Sequence, residues 1–119
     1  MKKFSIILLL CFLAFPVQAQ NYTLYYFHTN VRCSTCKKFE TWTKDAAKKL
    51  PVILKIINTD SKGNEHFITD YALYSKSIII TDNKGNFKNL DKIWNYTSNR
   101  DKFINYVSNE VENFISEKE

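Results

Sequence analysis

Glycine and proline are almost missing from this chain, with two of each among 119 residues. Gly63 and Gly85 stand alone, so no glycine-rich flavin-binding or nicotinamide-binding motif is present. Cysteine is limited to Cys11, Cys33 and Cys36. One adjacent pair and one distant residue cannot close a four-thiolate metal site within a single chain. Histidine is limited to His28 and His66. The lysines are scattered and no arginine-rich stripe occurs, which removes support for a nucleic-acid role. There is no internal repeat and no low-complexity tract, and the length fits one domain at most. Uninterrupted apolar sequence is also short. No run reaches the roughly 20 residues that span a bilayer.

The longest apolar run opens the chain. Lys2 and Lys3 give a positive start, Phe4 to Phe15 is apolar apart from Ser5, and Val17-Gln18-Ala19 places small residues where a signal peptidase reads. This pattern predicts a signal peptide over residues 1–19 and a mature domain over 20–119. Leu10 is bulky and the apolar run continues past Cys11, which argues against a lipid anchor there. Export to the periplasm or beyond the cell follows as the expectation, with no stable membrane anchor after cleavage. Loss of Lys2 and Lys3 lowers the formal net charge from +5 to +3. Loss of Cys11 leaves an even pair of cysteines in a compartment where disulfides persist.

Within the mature chain the apolar pattern changes period several times. Tyr22 to His28 is rich in Tyr and Phe on both alternating faces, as suits a central strand covered on both sides. Phe39, Trp42, Ala46 and Leu50 recur at spacings of three and four and predict a helix from Cys33 or Ser34 to Leu50, stopped by Pro51. Val52 to Ile57 reads as a second buried strand, parallel to the first. A short helix over Glu65 to Tyr74 follows, with Phe67, Ile68 and Tyr71 inward. Ser77 to Thr81 is a third strand. Asp82 to Asn86 is a hairpin turn, with Gly85 suited to a positive φ. Phe87 to Leu90 returns as an edge strand, and Asp91 to Thr97 suits a helical turn. Ser98 is placed to cap a last helix, with Asp101 three positions on. That helix carries Phe103, Ile104, Val107, Val111, Phe114 and Ile115 on one face. The order is that of a minimal thioredoxin-like domain, an α/β fold of three layers (α/β/α) around a four-stranded mixed sheet.

The pair Cys33-Ser34-Thr35-Cys36 falls at the junction between the first strand and the first helix. Only a thiolate attacks a disulfide, and a free thiol titrates near ~8.5, so a reactive cysteine needs its charged form favoured. A helix N-terminus does this through unpaired N–H groups and the helix dipole. Arg32, Lys37 and Lys38 add positive charge nearby. Position then assigns Cys33 as the exposed nucleophile and Cys36 as the resolving thiol. Ser34 and Thr35 bring hydroxyls close to the sulfurs. A purely structural disulfide is a weak explanation, because so short a loop gains roughly 2 kcal/mol against about 3 for fifteen residues. The same two thiolates suit Cu(I), Zn(II) or As(III), with His28 as a third ligand if the intervening turn folds back. His66 is expected at the surface.

Several segments together resemble a small bacterial thioredoxin-like family called ArsF-like, or nitrophenyl-compound nitroreductase subunit. They are Tyr25-Tyr26-Phe27-His28, Val31 to Lys37, Asn64 to Phe67, Asp70-Tyr71, Leu73 to Ser77, and Lys88 to Trp94. The resemblance covers most of the mature chain and implies a thioredoxin-like fold with Cys33 and Cys36 as its redox pair. Three departures from ordinary thioredoxins stand out. Arg32 occupies the place of a tryptophan, and Ser34-Thr35 that of Gly-Pro. Ser77 stands where a cis-proline precedes the third strand; a cis bond before serine costs about 2.5 to 4 kcal/mol, so a trans bond is expected. Phe27 lies where those proteins bury an acid. The expected function is thiol–disulfide exchange with a protein or small-thiol partner. Soft-metal binding, or service as a non-catalytic partner subunit, are the alternatives.

Overall fold

A computed structural model describes residues 21–74 and 76–119; the segment read as a signal peptide lies outside them. The elements run β1 (Thr23–His28), α1 (Ser34–Ala47), β2 (Ile53–Asn58), α2 (His66–Asp70), β3 (Ser77–Thr81), β4 (Phe87–Asn89), a 3₁₀ segment (Asp91–Tyr96) and α3 (Arg100–Lys118). The strands form one sheet in the order β2-β1-β3-β4. β1 and β2 are parallel, and the β1–β3 and β3–β4 pairs are antiparallel. With α1 and α3 on one face and α2 on the other, this is the three-layer, thioredoxin-like α/β arrangement with a mixed four-stranded sheet. No helix among the described residues is long and apolar enough to cross a membrane.

β1 is the inner strand that the sequence pattern required, and all six of its residues are buried. Its two faces feed two separate cores, because successive side chains point to opposite sides of a strand. Leu24 and Tyr26 join Ile78, Ile80, Phe39, Phe103, Val107 and Val111 beneath α1 and α3. Tyr25 and Phe27 join Ile79 and Leu73 beneath α2. On the first face Phe39 stacks on Phe103 with ring centroids 4.9 Å apart, fastening α1 to α3. Ring pairs of this kind add about 0.5–1.5 kcal/mol beyond area burial.

The structure corrects four local expectations. β2 is an edge strand, and Ile53 is 40% exposed rather than buried. An apolar run reports what a strand can bury, but strand order decides how much neighbour it receives. α1 ends at Ala47; its last residues tighten into three-residue bonds from Lys49 N to Ala46 O and from Leu50 N to Ala47 O. α2 spans five residues and stops where Ala72 takes φ 51° and Leu73 N bonds back to Ile68 O at 2.9 Å. In so short a helix Phe67 and Tyr71, four apart, face the sheet, and Ile68 turns to solvent. Finally, Asn99 and not Ser98 caps α3, its Oδ1 accepting from Lys102 N at 3.0 Å. The β3–β4 turn holds as read, with Gly85 at φ 100°, and Asn83 shares the left-handed region at φ 62°.

Candidate dithiol site

α1 begins on a cysteine sulfur. Cys33 is its N-cap residue, with extended backbone (φ −91°, ψ 168°), and Cys36 N donates to Cys33 Sγ at 3.2 Å. The sulfur thus fills the place that a serine or aspartate oxygen takes in ordinary caps. Lys37 N closes the first helical bond to Cys33 O at 3.1 Å. The two cysteines stand at disulfide distance, with Cα atoms 5.1 Å apart. Cys33 is exposed, whereas Cys36 is 2% exposed. The first turn of α1 contains no acidic residue, so nothing there opposes a negative charge at the cap.

Below the dithiol the sheet supplies a buried phenol. Tyr26 Oη donates to Cys36 O at 2.9 Å, tying the Cys36 backbone to the central strand. Burial, reinforced by the Glu40 carboxylate, pushes the Tyr26 phenol up to about 12 against the opposing pull of Arg32, so it remains a donor. Glu40 sits one turn beyond Cys36 on the same helix. Its carboxylate accepts from the Arg32 guanidinium and also pairs with Lys44 at 3.3 Å. Burial raises the Glu40 carboxyl, but the hydrogen bonds and charges of Lys44 and Arg32 outweigh it and hold the group below its ordinary value.

The remaining residues singled out in the sequence fall into place around this centre. Arg32 is not a free cation beside Cys33, because Glu40 engages it. Its other guanidinium nitrogen lies 3.2 Å from His28 Nδ1 and 3.3 Å from Nε2. His28 is buried at the end of β1, and Nδ1 is also 3.0 Å from Thr29 O. With Nδ1 donating to that carbonyl, Nε2 is the nitrogen left to accept from Arg32. His28 therefore sits in a polar contact with Arg32, and no group of three metal-ligating side chains occurs among the described residues. His66 is at the surface, paired with Asp70 at 2.8 Å. Ser34 is exposed in the first turn of α1, and Thr35 is half-buried beside it. Ser77 is buried and opposite Phe27 in the β1–β3 register, at the end of β1 from which the dithiol loop leaves. The Lys76–Ser77 bond is trans.

Two features escaped the sequence reading. Glu40 follows Cys33 and Cys36 at spacings of seven and four, which puts all three on one helix face; that spacing was the available signal. The second is a latch on the dithiol loop. Asn30 N donates to Asp60 Oδ2 at 2.8 Å and Asn58 Nδ2 donates to Asn30 Oδ1 at 2.8 Å. Thr59 N and Oγ1 both donate to His28 O, at 2.8 and 3.1 Å. The partners are about thirty residues apart in sequence, and no local pattern links them. Compared with protein-family models, curated proteins and solved structures, the chain matched none.

Proposed function

We propose that this chain is an exported thiol–disulfide exchange protein that works through Cys33 and Cys36. The observation that carries the reading is the N-cap sulfur: the exposed Cys33 Sγ accepts a backbone N–H at a helix start, beside a buried Cys36. A thiolate there gains a charge-assisted hydrogen bond and the favourable end of the helix dipole. In the reducing direction the Cys33 thiolate attacks a partner disulfide. A Cys33–partner bond forms, the partner's own S–S bond breaks, and its leaving thiolate takes up a proton. Cys36, deprotonated to solvent, then attacks Cys33 Sγ and releases the partner's second sulfur. The dithiol loses two electrons and two protons, and the partner disulfide gains them. The opposite direction uses the same bonds, with an incoming thiolate attacking the exposed Cys33 Sγ and Cys36 leaving.

The resemblance to a small bacterial thioredoxin-like family supports the same reading, and the pattern of residues 1–19 supports export. The decisive experiment is a pull-down with Cys36→Ala, which leaves a Cys33 mixed disulfide unresolved. Covalent, reductant-sensitive adducts with envelope proteins or small thiols are expected; if none forms through Cys33, the exchange reading fails. A parallel arm with added Cu(I), Zn(II) or As(III) tests the soft-metal alternative, in which binding requires both thiols and releases protons.

A further inference from the structure

Residue 32 touches the dithiol loop at one end and α1 at the other. Its guanidinium lies against His28, the last residue of β1, and pairs with Glu40 in the second turn of α1. Glu40 itself is held from the far side by Lys44. The Glu40 side chain is 17% exposed, so its charge is poorly screened by solvent. Cys36 and Glu40 are four apart on the helix, which brings their Cβ atoms to about 5–6 Å. Cys33 is seven residues from Glu40, roughly 10 Å along the axis, which is about one Debye length at 0.1 M salt. Arg32 directly precedes Cys33 and Glu40 lies one turn beyond Cys36, so a cluster of opposite charges, with Lys44 on its far side, borders the dithiol.

Resting on the exchange reading above, we propose that the Arg32–Glu40 pair sets the reduction potential of the Cys33–Cys36 couple. In this role both side chains act through their charge: Arg32 favours a thiolate, and Glu40, paired with it, offsets part of that effect. The couple is disulfide plus two electrons and two protons giving two thiols. In the reduced form part of the Cys33 population gives up its proton and becomes a thiolate. Negative charge thus appears on reduction only. Arg32 favours that charge and Glu40 opposes it, so removing one or the other must move the couple in opposite directions. An ion pair that merely braced the loop would not do this, since breaking it from either side would disturb the same geometry.

The test uses the mature protein equilibrated against a glutathione buffer at neutral pH, with four variants. Glu40→Gln keeps the side-chain shape and removes the negative charge; the reduced form should gain by roughly twofold to tenfold in the exchange constant. Arg32→Gln should favour the disulfide by a similar factor. The double variant should fall between them, near the unaltered protein. Arg32→Lys keeps the charge in an exposed loop and should restore most of the original balance. A second readout is the thiolate absorbance titration of Cys33 in a Cys36→Ala background, which needs no exchange partner. There Glu40→Gln should lower the Cys33 titration midpoint and Arg32→Gln should raise it. Opposed shifts in the titration with no trapped adducts would leave the inference standing and remove the exchange reading. Normal trapping with shifts of the same sign, or with none, would overturn the inference alone.

Discussion

The two faces of the sheet are built on different scales. On the α1/α3 face thirteen residues form a continuous buried cluster, whereas the α2 face holds four. The larger face rests on two helices of 14 and 19 residues, the smaller on one of five. The dithiol belongs to the larger face, as do Tyr26, His28 and Glu40. The smaller face is closed mainly by rings: Tyr25 stacks on Phe27 at 5.1 Å, and Phe67 lies 5.2 Å from Phe27. The contrast connects packing with chemistry. A cap sulfur and a phenol–carbonyl bond keep useful geometry only if the helix carrying them cannot shift, and close-packed interiors resist such shifts. The thin face only has to cover the sheet.

The sharpest way to break this contrast is to hollow each face in turn. Phe103→Ala, which removes a fully buried ring stacked on Phe39, should cost about 3–5 kcal/mol in urea unfolding. Phe67→Ala, at a half-buried ring, should cost about 1–2 kcal/mol. Equal losses would mean that the two faces support the fold alike.

Tyr26→Phe sharpens the link between the thick face and the dithiol. Loss of the bond to Cys36 O should cost about 0.5–1.5 kcal/mol at neutral pH. The variant should also change the alkaline limb of the stability curve. The Tyr26 phenol is raised from 10.0 to about 12 in the folded protein. The stabilisation tied to that shift is complete below about pH 10 and disappears as pH rises towards 12. Tyr26→Phe should flatten this part of the decline. An unchanged slope would show that burial of the phenol against the larger face carries no linkage.

Glu40→Gln probes the acid side. The folded-state carboxyl lies below its ordinary 4.5, so its stabilisation is present above that value and is lost as pH falls through the folded value. The variant should lose stability less steeply with acid than the unaltered protein, measured by fluorescence-monitored denaturant titrations at successive pH. A slope as steep as before would place the acid sensitivity elsewhere. The smallest effect is expected at Lys88→Ala, which removes an exposed pair with Glu110 at 2.9 Å; about 0.5 kcal/mol or less should result.

Much of the frame was legible in the residues. The turn at Asp82–Asn86, the stripe on α3 and the position of Cys33 at a helix start all depend on groups within about one or two helical turns or a single hairpin. Such short-range patterns are set by backbone geometry and the period of apolar side chains. For the same reason β1 was readable as the inner strand, because large rings on both of its faces need two covers.

The rest was decided by tertiary structure, in places where chain segments distant in sequence meet. Val52 to Ile57 looked like a buried strand because its composition is apolar, but the order β2-β1-β3-β4 puts it at the edge. Asn30 meets Asp60 only because β1 and β2 run parallel and bring their following loops side by side. Tyr26 reaches Cys36 O only because α1 folds back over its face of β1. Arg32 was legible as a positive charge near Cys33, but its pairing with Glu40 was not, since the sequence alone does not fix the path of the loop before the helix. The sequence by itself determined which atoms could carry redox chemistry, a pair of thiols at a helix start. The fold decided their surroundings, because the charges and hydrogen bonds that favour a thiolate act through space, at distances that only the folded chain establishes.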